Sequence, residues 1–384
     1  MPADRRKAAP AAAANPELDR RLMAAALRLG RRNLGRTWPN PAVGALVVRM
    51  QDGNAIIVGR GATASGGRPH AEPGALAEAG EAAEGATVYV TLEPCAHQGR
   101  TPPCARALVA ARVGRVVSAI DDPDPRVSGE GHAILRNAGI AVTTGVLAEA
   151  AEAAHAGHIS RITRGRPHIV LKLAVSADGM IGRREGERMM ITGKAALEAV
   201  QAMRAESDAV AIGIGTALID NPRLTVRLPG LADRSPARIV FDAEARLPLA
   251  SNLVASAREV PLIVVVGPSA PQERQDALAE AGVKLVAVGS APGGLDLAAA
   301  FTALGTDGYT RVLVEGGSEI ASSLVSGDLV DEAILFRAAV VVGADGVRAL
   351  GRYALSAIDR SPRFRQIEAA IVGDDTMRRY IRAA

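Results

Sequence analysis

The chain has 384 residues, 48% of them apolar and 22% charged, with a formal charge of +4. At about 150 residues per domain it is long enough for two to three domains, and its composition excludes wholesale disorder and a collagen-like fibre. No run approaches the ~18 consecutive apolar residues of a membrane span, and one Trp, four Tyr and four Phe are few for stacking on single-stranded nucleic acid.

Met1 to Asn15 is rich in Ala and Pro behind Arg5, Arg6 and Lys7. Pro10 interrupts any apolar core a signal peptide would need, so residues 1–15 read as a disordered tail on a cytoplasmic protein. Leu18 to Leu34 carries apolar residues at helical spacing. Pro39-Asn40-Pro41 ends that pattern. Ala42 to Val48 reads as a strand, and Asp52-Gly53 turns it into a hairpin partner at Ile56 to Gly59. Ala71 to Gly80 reads as helix, Thr87 to Leu92 as buried strand, Pro103 to Ala111 as helix and Val113 to Ile120 as strand. This order predicts a three-layer α/β/α domain over 16–163. Val146 to Ser160 is helical, and Arg161 to Pro167 reads as a linker.

Strands and helices alternate again from His168, so 164–384 reads as a second α/β domain. Its strands are expected at His168 to Ala174, Ala209 to Gly213, Arg238 to Asp242, Leu262 to Val266, Lys284 to Val288, Arg311 to Glu315 and Asp331 to Val342. Phe364 to Ile381 reads as a closing hairpin. The halves do not resemble each other, so the chain is a fusion of different domains.

His70-Ala71-Glu72 precedes Pro94-Cys95 and Cys104. One imidazole and two thiolates suit tetrahedral zinc and leave a fourth position for water, the pattern of a catalytic site. Zinc brings the pKa of such a water to about 7. Glu72, two residues from His70, is placed to take the water's proton and pass it to a departing amine. Pro73, tolerated in a first helical turn, puts His70 and Glu72 at a helix N-terminus. Pro94 precedes Cys95 where a strand gives way to a turn or a helix, and a helix N-terminal dipole is expected to favour the Cys95 thiolate. The competing readings are two inert buried thiols or a Cys95–Cys104 disulfide. The complete H-x-E…P-C…C pattern matches the zinc deaminase signature.

The cysteines are separated by eight residues, not two. The string Pro94-Cys95-Ala96-His97-Gln98-Gly99-Arg100-Thr101-Pro102-Pro103-Cys104, with Pro39-Asn40-Pro41-Ala42-Val43-Gly44, resembles the deaminase domain of the bifunctional riboflavin-biosynthesis deaminase–reductases over about residues 18 to 160. The resemblance implies a cytidine-deaminase-like fold and a diaminopyrimidinone substrate carrying a phosphoribosylamino group. It also implies substrate contacts from Asn40 and His97. Arg100 stands where the family has Lys or Arg, and a cation there suits a phosphate.

Lys172 to Gly179 resembles the K-x-A-x-S-x-D-G opening of the same family's reductase domain, and the resemblance runs to the C-terminus. It implies a dihydrofolate-reductase-like fold that uses NADPH. It places Arg204, Leu224, Arg227 and Glu315 on the substrate and Ala174, Thr192, Thr216, Asp220 and Gly317 near the cofactor. Lys172 meets the substrate or stabilises charge, or else is a surface lysine at a strand edge. Glu315-Gly316-Gly317-Ser318 lies between a strand and a helix, where glycines let backbone N–H groups approach a pyrophosphate. Met190 stands where many relatives have Trp, and Ala243 where many have Ser. The family implies homo-oligomers, a dimer in the simplest case, acting on a small molecule with no nucleic acid or membrane partner. The competing functions are a deaminase with a degenerate reductase domain, and a nucleoside or tRNA deaminase. For the proton donor of the reduction, Lys172, Asp178 and Asp220 are the candidates.

Overall fold

A computed structural model describes residues 15–98, 102–125, 127–184 and 189–383. The chain divides into two compact units between Arg164 and Gly165.

The first unit comprises α1 (Pro16–Arg31), β1 (Gly44–Gln51), β2 (Asn54–Ala62), α2 (Ala71–Ala79), β3 (Thr87–Val90), α3 (Cys104–Ala110), β4 (Arg115–Ser118), α4 (Glu130–Asn137), β5 (Ala141–Thr143), α5 (Ala148–Ala154) and α6 (Ala156–Arg164). Helix α1 starts where it should: the Asn15 side chain accepts from Leu18 N–H at 3.1 Å, and Pro16 occupies the first turn. Asp52 and Gly53 take positive φ angles of 51° and 78° and close the β1–β2 hairpin. The sheet order is β2-β1-β3-β4-β5, antiparallel as far as β3 and parallel from β3 to β5.

Alternation along β1 produces the three layers. Ala45 and Val47 join Ala71, Ala75 and Leu108 on one face. Leu46 and Val48 join Leu22, Met23 and Ala151 on the other. Ala71, Ala75 and Ala79 recur every four residues, so α2 lays a flat stripe on the sheet. A Cβ on Gly61 would lie 1.9 Å from the Ala71 carbonyl oxygen. That position must be glycine for β2 to lie against the helix that carries Glu72.

The second unit comprises β6 (His168–Val175), β7 (Met180–Arg183), α7 (Lys194–Ala205), β8 (Ala209–Gly213), α8 (Ile214–Asp220), β9 (Ala237–Phe241), α9 (Asn252–Ala255), β10 (Leu262–Val266), α10 (Gln272–Glu280), β11 (Lys284–Ala287), β12 (Ser290–Ala291), β13 (Gly294–Leu295), α11 (Leu297–Thr306), β14 (Arg311–Val314), α12 (Ser318–Ser326), β15 (Glu332–Arg337), β16 (Gly346–Arg348), α13 (Ser356–Asp359), β17 (Phe364–Val372) and β18 (Asp375–Arg382). Nine strands form one sheet in the order β11-β10-β9-β8-β14-β6-β15-β18-β17. It is parallel from β11 to β15, and the terminal hairpin adds two antiparallel strands. β8, β9 and β10 are buried along their whole length, as strands covered on both faces must be.

Three expectations need correction. The linker expected at Arg161 to Pro167 begins later, because α6 continues to Arg164. The strand expected to reach Val342 ends at Arg337, where it pairs with Val175 and Thr376 and both neighbouring ladders run out. Of the turn and the helix open at Cys95, the helix is excluded: the residue lies in irregular backbone after β3. The disordered tail falls, except for Asn15, outside the described residues.

Candidate active sites

His70 is the residue preceding the first turn of α2, and Glu72 lies within that turn. Cys104 is the first residue of α3. The His70 Nδ1 lies 3.7 Å from Cys95 Sγ and 3.4 Å from Cys104 Sγ. Both cysteines are free, so no disulfide forms. The Cys104 backbone N–H donates to Cys95 Sγ at 3.2 Å. The N-terminus of α3 therefore serves the Cys95 sulfur from nine residues away, although no helix begins at Cys95 itself. Hydrogen bonding from Cys104 draws the Cys95 thiol down to about 4 against its burial, and His70 adds to the effect. The Cys104 thiol, donating to Cys95, is pushed up. Glu72 is 4% exposed, and burial raises its carboxyl to about 7.

The donor set fits zinc. Zn–S bonds of about 2.3 Å and Zn–N bonds of about 2.0 Å at tetrahedral angles put ligand atoms roughly 3.5–3.8 Å apart. The three ligand atoms here already lie within 4.8 Å of one another. The Asn40 side chain lies over Gly67, where a Cβ would come 2.1 Å from its Nδ2, in the turn leading to His70. His97 is exposed on the segment that follows Cys95. Arg100 lies outside the described residues.

Glu93 belongs to this site and is absent from the reading of the sequence above. Its buried carboxylate accepts from the backbone N–H groups of Asp122 (3.1 Å), Gly129 (2.9 Å), Gly131 (2.8 Å) and His132 (3.4 Å). It ties that segment to the turn that carries Cys95, two residues on. The signal was an acid directly before Pro94-Cys95 with glycines at 129 and 131. Glu93, Asp121 and His132 also cluster, but the Glu93 lone pairs are committed to backbone donors.

The second unit holds a cleft of about 1490 Å³, and all eleven residues expected to contact substrate or cofactor in this half line it. Lys172 is on β6, between β14 and β15. It is thus at the centre of the sheet, not at an edge. Arg204, at the end of α7, forks onto Glu315, at the end of β14. Its Nε reaches Oε1, its Nη2 reaches Oε2 at 2.8 Å, and its Nη1 donates to the Thr225 carbonyl at 3.1 Å. The Lys172 Nζ lies 3.8 Å from the same carboxylate. Burial lowers the Lys172 pKa against the pull of Glu315. Burial alone would raise Glu315, but the Arg204 charge and hydrogen bonds, with Lys172, hold it below the ordinary range.

Leu224 packs its buried side chain into the apolar cluster beside the cleft, from a backbone φ of 55°. Arg227 is exposed, and its N–H donates to Gln201 of α7. Gly316 and Gly317 have φ angles of 97° and 89° at the start of α12. A Cβ on Gly316 would meet nothing within 4 Å, and one on Gly317 would come 3.2 Å from Thr216 Oγ1. The glycines leave open space at a helix N-terminus, which suits a pyrophosphate. With its volume and its cations, the cleft fits NADPH. Asp178 does not line it. That carboxylate accepts from Ser176 Oγ and from the N–H groups of Val342 and Gly343, and these bonds hold it at about 2.

A buried acid beside a His–Cys–Cys donor set, joined in one chain to a dihydrofolate-reductase-like unit with a glycine-edged cofactor cleft, defines a zinc-dependent deaminase fused to an NADPH-dependent reductase. Residues 16–120 match the cytidine and deoxycytidylate deaminase zinc-binding region, and residues 167–377 match the RibD C-terminal domain. The chain is 37% identical over 359 residues to the riboflavin biosynthesis protein RibD of Aquifex aeolicus, covering 94% of this chain and 97% of that one. It is 38% identical over 368 residues to RibD of Escherichia coli, covering 93% and 97%. A structure of Acinetobacter baumannii RibD superposes with a TM-score of 0.84 at 35% identity, covering 96% of this chain and all of that one. The chain belongs to the RibD family of bifunctional riboflavin-biosynthesis deaminase–reductases.

Proposed function

We propose that the first unit hydrolyses an amine from 2,5-diamino-6-(5-phosphoribosylamino)pyrimidin-4(3H)-one. The second unit then reduces the ribosyl group of the product to ribityl. A solved structure at 30% identity and a TM-score of 0.81, from Thermotoga maritima, carries the name of that deaminase and reductase pair. The observation that carries the reading is the convergence of His70, Cys95 and Cys104 beside buried Glu72.

His70, Cys95 and Cys104 would hold the zinc, which when bound would supply a Lewis acid that acidifies the attacking water. Glu72, poised near neutral pH, takes a proton from the attacking water and returns it to the nitrogen that leaves as ammonia. Asn40 and His97 orient the pyrimidine, and Arg100 meets the phosphate. In the reductase cleft Arg204, Leu224, Arg227 and Glu315 hold the product of the first step. Ala174, Met190, Thr192, Thr216, Asp220 and Gly317 face NADPH, which supplies the hydride. Lys172, desolvated beside Glu315, is the proton-carrying group; Asp178 is already committed to three donors.

We assign the two activities to domains over 16–163 and 164–384, one residue from the division between Arg164 and Gly165. Among the described residues no helix is long and apolar enough to cross a membrane. Two free thiols at a metal site favour a reducing, cytoplasmic location. The exposed outer strand β17, with Ile371 83% exposed, supports a homo-oligomer, a dimer in the simplest case.

The test follows products by mass with and without NADPH. Replacement of an amine by oxygen without NADPH, then gain of two hydrogens with it, is the expected sequence. Deamination of a nucleoside or tRNA in place of the pyrimidinone overturns the substrate; deamination without reduction overturns the second half.

A further inference from the structure

We infer that Asp375, at the tip of the C-terminal hairpin, is a positioning residue for the reduction. It fixes the start of α7 and, through it, the segment from Met190 to Thr192. The inference rests on the reading of that segment as a wall of the NADPH site. Met190, Ile191 and Thr192 line the cleft, and α7 begins at Lys194, two residues after Thr192. Whatever holds the first turn of α7 therefore holds this wall. Arg204 lies at the far end of the same helix, where its fork onto Glu315 anchors that end independently.

The first turn of α7 has no cap of its own. Gly193 stands at the capping position and has no side chain with which to accept from the N–H groups of the turn. Asp375 supplies an acceptor from 182 residues away: its Oδ2 accepts from the Gly193 N–H at 2.8 Å. A carboxylate there also meets the favourable end of the helix dipole.

The hairpin is shaped to deliver this acid. Val372 pairs with Asp375 around the turn residues Gly373 and Asp374. Gly373 has a φ of 63°, and a Cβ on it would come 2.9 Å from Ala195 Cβ, so the turn backbone lies directly on the first turn of α7. Behind the turn, Met377 and Val372 pack in one apolar cluster with Ala196 and Val200 of α7. Asp375 is only 3% exposed, although acids at hairpin turns usually point to water. Burying a carboxylate is costly unless it is bonded, and the Gly193 N–H is the bond it gains. Asp375 is not among the residues lining the cleft; it acts through α7.

Asp208 separates positioning from plain stabilisation. It too is a buried acid, accepting from the N–H groups of Thr310 at 2.6 Å and Arg311 at 2.9 Å. It precedes β8, whereas the cleft is lined from the other end of that strand, at Ile212 and Gly213.

The test is equilibrium binding of NADPH and steady-state reduction by the full-length, zinc-loaded enzyme. Asp375→Ala should raise the NADPH Kd and KM roughly three- to thirtyfold and leave kcat at saturating NADPH within about twofold. Asp375→Asn keeps an acceptor and should recover most of the affinity. Asp208→Ala should melt earlier than wild type yet bind NADPH as wild type does. Unchanged NADPH affinity in Asp375→Ala, no recovery in Asp375→Asn, or an equal loss in Asp208→Ala overturns the proposal. Should Asp375→Ala not fold, hydrogen exchange of the wild-type enzyme reads the same coupling, because linkage is reciprocal. NADPH should slow exchange over residues 190–197 and 372–376 together, and protection of the first segment alone overturns the proposal. If Met190→Ala and Thr192→Ala both bind NADPH as tightly as wild type, the reading of that wall fails and the proposal with it. If they weaken NADPH and Asp375→Ala does not, the proposal alone fails.

Discussion

Arg204 and Glu315 are 111 residues apart in sequence and form a two-pronged ion pair on the floor of the reductase cleft, with Nη2 to Oε2 at 2.8 Å. Both side chains are largely buried, at 13% and 8% exposure. A pair of this kind is costly to leave half made. Glu315→Gln strips the counter-charge from both Arg204 and Lys172. The expected result is a fall of about a hundredfold or more in reductase kcat/KM, with deamination unchanged. Steady-state assays of each half-reaction check it.

In the proposed mechanism Glu72 carries a proton and does not bind the metal, so its replacement should separate chemistry from metal binding. Glu72→Gln should lower the deamination rate by about 10²–10⁴ and keep zinc at the wild-type stoichiometry by metal analysis. Reduction of already deaminated substrate should continue. Removing the zinc with a chelator should also stop deamination, but it should expose Cys95 and Cys104 to a thiol reagent. An intact thiol count with lost activity distinguishes the first case from the second.

Glu93 holds four backbone N–H groups to the cysteine turn without touching the metal ligands' reacting atoms. Glu93→Ala leaves those donors buried and unsatisfied, at about 1–3 kcal/mol for such a group. The deaminase unit should melt earlier. Zinc affinity, measured by competition with a chromophoric chelator, should fall about ten- to a hundredfold. The NADPH affinity of the other unit should not move.

Glu332 accepts from Arg379 Nε at 2.7 Å and Arg311 Nη2 at 3.1 Å, and lies 3.3 Å from His168 Nε2. Burial opposes its ionisation, but these charges outweigh burial and hold the carboxyl well below the ordinary range. Asp331 is likewise depressed, with burial outweighed by Arg166 and its neighbours. A folded pKa below the unfolded one stabilises above the unfolded value and loses that stability as pH falls through the folded value. Thermal melting of the reductase unit should therefore drop below about pH 4, where unfolded carboxylates take up protons. Glu332→Gln should be less stable than wild type at pH 7 by roughly 3–5 kcal/mol. The gap should narrow below about pH 4, because the unfolded wild-type chain there takes up a proton that the folded one still refuses. Melting curves of both proteins from pH 7 to 3 check this.

Much of the deaminase half was legible because its signals are local. Pro73 marks the first turn of α2, so His70 and Glu72 had to share a helix start. Asp52-Gly53 supplies the two positive φ angles of a tight hairpin. The short elements α4 and β5 escaped notice: eight residues after a left-handed Gly129, and three residues of strand, carry too little periodicity to register.

The residue types and their spacing determined the chemistry: an imidazole, two thiols and an acid with the reach to move a proton. Tertiary structure decided which of the remaining charges meet. Lys172 is central only because β14 and β15, far along the chain, flank β6. Arg204 finds Glu315 only because β14 inserts between β8 and β6. Glu93 acts only because the segment from Asp122 to His132 folds back onto its carboxylate. Backbone preferences act over a few residues and are written in the local sequence. Electrostatic partnerships in a buried site depend on strand order, and strand order is set by the packing of the whole sheet.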